Sequence, residues 1–83
     1  MTVLVVGYPE FRKITTKVEN VLERSLIYYY KNKYGAYELY FNDGQWKYKC
    51  EILPIDIETF FGNEDNFRND FILEYAVQLI GIE

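Results

Sequence analysis

AYELYFNDGQWKYKCE, residues 36–51, is the stretch on which the fold turns. At its centre, Asn42-Asp43-Gly44-Gln45 puts Asp-Gly in a two-residue loop, the pair that supplies the positive φ values of a type I′ hairpin turn. In that register Phe41 faces Trp46, Leu39 faces Tyr48 and Tyr37 faces Cys50, all on one side. Tyr40 with Lys47, Glu38 with Lys49 and Ala36 with Glu51 fall on the other. One face is apolar and the other carries an opposite-charge pair, which is how a half-buried antiparallel sheet reads.

Upstream of the hairpin, Pro9 suits the first turn of a helix, with Glu10 near its positive end. Phe11, Ile14, Val18, Val21, Leu22, Ser25 and Tyr29 recur at three- and four-residue spacing. They predict an amphipathic helix of roughly five or six turns. Thr16-x-x-Glu19 offers a capping-box start further in, and Gly35 is the expected stop. Before the helix, Thr2 to Val6 is an apolar run closed by Gly7 and Pro9. With little alternation, it predicts a strand covered on both faces and away from the sheet edge.

Downstream, Pro54 closes the third strand. Residues 55–63 alternate apolar and acidic before Gly62, which predicts a short edge strand or an irregular wrap. Asn63 is a suitable N-cap, with Glu64 and Asp65 in the first turn of a last helix ending near Gly81. Phe67, Phe71, Tyr75 and Leu79 mark one stripe of it, and Ile72, Leu73, Ala76, Val77 and Ile80 make it apolar on most sides. The expected order is β-α-β-β-(β)-α. It predicts one α+β domain over residues 1–83, a sheet of three or four strands with two helices packed on one face.

Composition narrows the function. Nine Tyr, six Phe and one Trp give this short chain large side chains with which to build a core. Cys50 is the only cysteine, so no internal disulfide forms, and its expected place is the inner face of a strand as a small hydrophobe. Met1 to Gly7 lacks a basic leader region and is too short to span a membrane, so the expected location is the cytoplasm. The chain contains no histidine, which removes Ser-His and Cys-His nucleophile pairs and the common zinc sites. No phosphate-binding glycine loop is present, and the carboxylates do not follow calcium-loop spacing. The expectation is a protein that is not an enzyme and that uses neither cofactor nor metal.

Charge is uneven along the chain. Residues 1–50 hold eight basic groups against five acidic ones; residues 51–83 hold eight acidic groups against Arg68 alone. Such asymmetry speaks to partners rather than to fold. The acidic part offers one candidate surface: Asp56, Glu58, Glu64, Asp65 and Asp70, set among Ile57, Phe60 and Phe61. Carboxylates interleaved with aromatics can dock on a basic groove, although a solvated acidic face is the plainer explanation. The leading expectation is a small acidic protein-binding module, an inhibitor that covers a basic, nucleic-acid-handling surface of a larger protein. Its Asn-, Lys-, Tyr- and Ile-rich composition fits an AT-rich genome of the kind phages and mobile elements carry.

The alternative expectation uses basic and aromatic residues. Tyr30, Lys31 and Lys33, with Tyr28 and Tyr34 beside them, join Tyr40, Lys47 and Lys49 on the outer hairpin face. Lysines among stacking rings suit single-stranded nucleic acid, against a net charge of −4 that repels it. A third expectation is a homodimer through the spare apolar face of the C-terminal helix.

Overall fold

The computed structural model describes residues 3–19 and 27–78. Their order is β1 (Val3–Val5), α1 (Tyr8–Glu19), β2 (Ile27–Lys31), β3 (Tyr37–Asn42), β4 (Lys47–Ile52) and α2 (Pro54–Phe61). There follow α3 (Glu64–Phe67), a π-helical turn (Arg68–Ile72), α4 (Leu73–Tyr75) and β5 (Ala76–Gln78). The strands make one mixed sheet in the order β1-β4-β3-β2-β5. Strands β2, β3 and β4 form an antiparallel meander, and β1 and β5 join its two outer edges in parallel. The α+β class is as expected, with more strands and more helices than expected.

All the helices pack on one face of the sheet. Phe11 of α1, Ile57 of α2 and Phe67, Phe71 and Ile72 of the later helical path join one buried cluster. Tyr37, Leu39 and Phe41 of β3 meet them with Cys50 and Ile52 of β4 and Ile27 of β2. The rings interlock at this level: Phe67 lies 4.9 Å from both Tyr37 and Phe61 and 5.7 Å from Phe71, centroid to centroid. Each such side chain contributes roughly 1.5–3 kcal/mol by leaving water. The π-helical turn lets Phe71 and Ile72, adjacent in sequence, both enter the core.

The hairpin strands form with their faces as expected and their register moved by two residues, while Trp46, expected inside, lies in the loop 47% exposed and Ala36, expected outside, is buried ahead of β3. Phe41 pairs with Tyr48, Leu39 with Cys50 and Tyr37 with Ile52. Because side chains alternate with a period of two, that shift changes partners without exchanging faces. The cause is in the loop. Asp43 Oδ1 accepts hydrogen bonds from the backbone N–H groups of Gln45 and Trp46, at 2.9 and 2.8 Å, and Asn42 Oδ1 accepts from Gly44 at 2.9 Å. These side-chain bridges close a four-residue connection in which Gly44 alone has positive φ, whereas a type I′ turn needs two such residues.

Four further expectations are corrected. Strand β1 lies at a sheet edge, with Val5 74% exposed, rather than buried on both faces. The first helix is described over Tyr8–Glu19, and Ile27–Lys31 is a strand, so the helix does not reach Tyr29, which belongs to a second hairpin with Gly35 in its turn. Asn32 Oδ1 closes that turn by accepting from the N–H groups of Tyr34 and Ala36. The expected helical positions Val21, Leu22 and Ser25 lie outside the described residues. Residues 54–61 are a helix, not a strand: Pro54 opens it, and Asp56 accepts from the Leu53 N–H at 3.1 Å. Finally, the C-terminal helix stops at Tyr75, and Ala76–Gln78 pairs with β2. Leu79, Ile80 and Gly81 lie outside the described residues.

Candidate functional site

One face of the sheet is covered by helices and the other by nothing among the described residues. The alternation that buries Tyr37, Leu39 and Phe41 turns Glu38, Tyr40 and Asn42 outward. On β4 it sends Lys47, Lys49 and Glu51 the same way. Tyr28 and Tyr30 follow on β2, Val3 and Val5 on β1, and Val77 on β5. The registers align one row across all five strands: Val5, Lys49, Tyr40, Tyr28 and Val77. A second row is Glu51, Glu38 and Tyr30, and a third is Val3, Lys47 and Asn42.

The electrostatics of this face are nearly closed on themselves. Lys49 Nζ lies 3.0 Å from Glu38 Oε1 and 5.9 Å from the centre of the Tyr40 ring. The Tyr40 hydroxyl donates to the same Glu38 oxygen at 2.9 Å. The Lys49 ammonium accordingly holds the Glu38 carboxyl below its ordinary pKa, and Glu38 raises that of Lys49. Burial and then Glu38 push the Tyr40 phenol upward. Lys47 and Glu51 form no hydrogen bond or ion pair with the other described residues. What remains, among the described residues, is a surface of tyrosines and valines with one cation, Lys47, and one anion, Glu51, outside any ion pair.

The basic and aromatic candidates are therefore split. Tyr30, Tyr40, Lys47 and Lys49 share the uncovered face with Tyr28. Lys31 points to the helical side, where its Nζ donates to Glu64 Oε2 at 2.8 Å. Lys33 sits in the β2–β3 turn, 5.2 Å from the centre of the Tyr34 ring.

The acidic candidates separate as well. Ile57 is 4% exposed and belongs to the core rather than the surface, and Phe61 packs partly against it. Asp56 is engaged at the start of α2. Glu64 Oε2 accepts from Lys31 and, at 2.7 Å, from the hydroxyl of fully buried Tyr37, which also accepts from Arg68 at 3.1 Å. The Lys31 bond, then the Tyr37 bond, hold the Glu64 carboxyl below its ordinary value. Glu58, Phe60, Asp65 and Asp70 remain exposed, with Phe60 tilted on Tyr8 at 5.5 Å. A groove of about 320 Å³ runs between α2 and the β2–β3 turn, floored by Pro54 and Ile57 and rimmed by Lys31, Glu58 and Glu64.

No group of three or more acidic or cysteine side chains is placed to hold a metal among the described residues. Cys50 is fully buried, and that burial pushes its thiol up to about 12. No helix among the described residues is long and apolar enough to cross a membrane. Sequence reasoning marked Tyr30, Tyr40, Lys47 and Lys49, with Tyr28 beside them, and set Glu51 on the outer hairpin face without counting it in a site; it missed Val3, Val5 and Val77, for which the two-residue spacing of Val3 and Val5 was the available signal. No family model, curated protein or solved structure matches the chain.

Proposed function

We propose that this protein is a small protein-binding module that works through the uncovered face of its sheet. The observation that carries the reading is the row Val5, Lys49, Tyr40, Tyr28 and Val77, aligned across five strands with no helix over it among the described residues. Aromatic side chains flanked by aliphatics, with the one charge in the row, Lys49, paired to Glu38 at 3.0 Å, come close to the composition that polypeptide interfaces favour. A patch of this kind on a small domain marks an interaction site more often than a bare surface. The acidic segment has weaker support for the same role, because Ile57 is buried and Asp56 and Glu64 are engaged within the chain. Inhibition of a basic, nucleic-acid-handling partner through Glu58, Phe60, Asp65 and Asp70 is thus secondary to contact through the sheet.

Single-stranded nucleic acid is the second reading, favoured by Tyr28, Tyr30 and Tyr40 beside Lys47. Charge weighs against it. Lys49 is neutralised by Glu38, and Glu51 offsets Lys47, while phosphate binding draws its affinity from several uncompensated cations.

The test is capture with and without nuclease, comparing the wild type with Tyr28→Ser/Tyr40→Ser. A discrete protein retained by the wild type after nuclease and lost by the variant is the expected result. Equal retention by the variant contradicts the assignment of this face. Recovery that vanishes on nuclease treatment transfers it to nucleic acid.

A further inference from the structure

The uncovered face has a charge pattern that is complementary to itself, and we infer that its occupant is a second copy of this chain. The inference rests on the protein-binding reading above and names the partner. Lys47 and Glu51 are the two charged groups of the face without an ion-pair partner among the described residues. Both lie on β4, each two residues from Lys49, which places one on either side of the central row at about 6.6 Å. A two-fold axis laid in the plane of the face along that row reverses the strand direction. It sets Lys47 of each copy against Glu51 of the other, so a single symmetric arrangement forms two ion pairs.

The same axis stacks the central aromatics. Tyr40 and Tyr28 lie on it and meet their own counterparts, with Val5 and Val77 at the two ends of the row. Lys49 also lies on the axis, where each copy's Glu38 already neutralises it at 3.0 Å. Asn42, on β3 in the row of Lys47, is set against Glu38 of the other copy and can donate its amide to that carboxylate. Isologous pairing of one patch with itself is the common solution for small soluble proteins. Net charge favours this face in particular. The chain carries −4, but Lys47, Lys49, Glu38 and Glu51 balance here, so this face adds no net charge of its own to the repulsion between two copies.

Five strands about 4.8 Å apart make a face roughly 20 Å wide. Its three rows span about 13 Å along the strands, so the face covers only a few hundred Å² per copy, below a standard stable interface, and the dimer is weak, reversible and dependent on concentration. Sedimentation velocity across a wide concentration range reads it directly. The wild type is expected to pass from monomer to dimer. Lys47→Glu and Glu51→Lys are each expected to weaken the dimer by about tenfold or more, because each reversal puts like charges together twice. Lys47→Glu/Glu51→Lys exchanges the two charges and is expected to restore the dimer to within about threefold of the wild type. Both side chains are exposed and free of ion pairs, and circular dichroism of each variant checks that the fold is intact.

A wild type that stays monomeric at every concentration overturns the inference, and so does a dimer whose two reversals add instead of compensating. In the monomeric case, loss of a foreign protein by Tyr28→Ser/Tyr40→Ser in the capture experiment leaves the protein-binding reading standing. Binding of a single-stranded thymidine oligonucleotide by that monomer transfers the face to nucleic acid.

Discussion

Along β4 the chain alternates between two environments. Tyr48, Cys50 and Ile52 turn into a core of interlocked rings, whereas Lys47, Lys49 and Glu51 turn onto a face with nothing packed over it among the described residues. β3 repeats the pattern, with Tyr37, Leu39 and Phe41 inward and Glu38, Tyr40 and Asn42 outward. Both faces are rich in tyrosine, yet the tyrosines behave differently. Tyr37 is fully buried and its hydroxyl is satisfied by Glu64 and Arg68. Tyr28, Tyr30 and Tyr40 keep part of each ring in water. One face holds the chain together; the other is the face proposed above for recognition.

Breaking the covered face should have the largest effect. Phe67→Ala removes a fully buried ring that touches Tyr37, Phe61 and Phe71, and should lower stability by about 3–5 kcal/mol in urea unfolding. For so small a domain, that is a large share of the total. Tyr37→Phe keeps the ring but deletes the hydroxyl between Glu64 and Arg68; a loss of about 1–2 kcal/mol should appear in the same assay.

The turn that joins the two outward-facing lysine-bearing and tyrosine-bearing strands sharpens the comparison. Gly44 has φ +98 and open space around it, so Gly44→Ala introduces backbone strain without a clash. A cost of about 1 kcal/mol is expected, read by thermal unfolding, with association through the uncovered face preserved.

Glu64 should give the smallest effect. Its folded pKa is depressed, first by Lys31 and then by Tyr37, so its contribution is present above the ordinary glutamate value and is lost as pH falls through the folded value. Glu64→Gln should flatten the acid limb of a stability–pH curve. At a side chain 44% exposed, solvent screening holds the effect to about 0.5 kcal/mol or less.

The faces of the central hairpin were legible in the sequence because strand alternation survives a two-residue register shift. The register itself was not, because Asn42 and Asp43 side chains close a longer loop than Asp-Gly alone implies. Tyr28-Tyr29-Tyr30 carried a strand signal in its aromatic run, but the helical spacing that led to Tyr29 concealed it, and Gly35 read as a helix stop rather than part of a turn. In residues 55–58, strict alternation concealed a helix whose Ile57 and Phe61 share a buried side at four-residue spacing. Part of the candidate site was visible as Tyr40, Lys47 and Lys49. The row became complete only when β1, β2 and β5 were brought beside the hairpin, through pairings between residues far apart in the chain.

The division of labour between the two faces is tested most directly by Tyr28→Ser/Tyr40→Ser, measured for unfolding at low concentration and for association on the same sample. Stability within about 1 kcal/mol of the wild type, together with lost association, is the predicted result. A collapse in stability comparable to that of Phe67→Ala, with association retained by the molecules still folded, would contradict it.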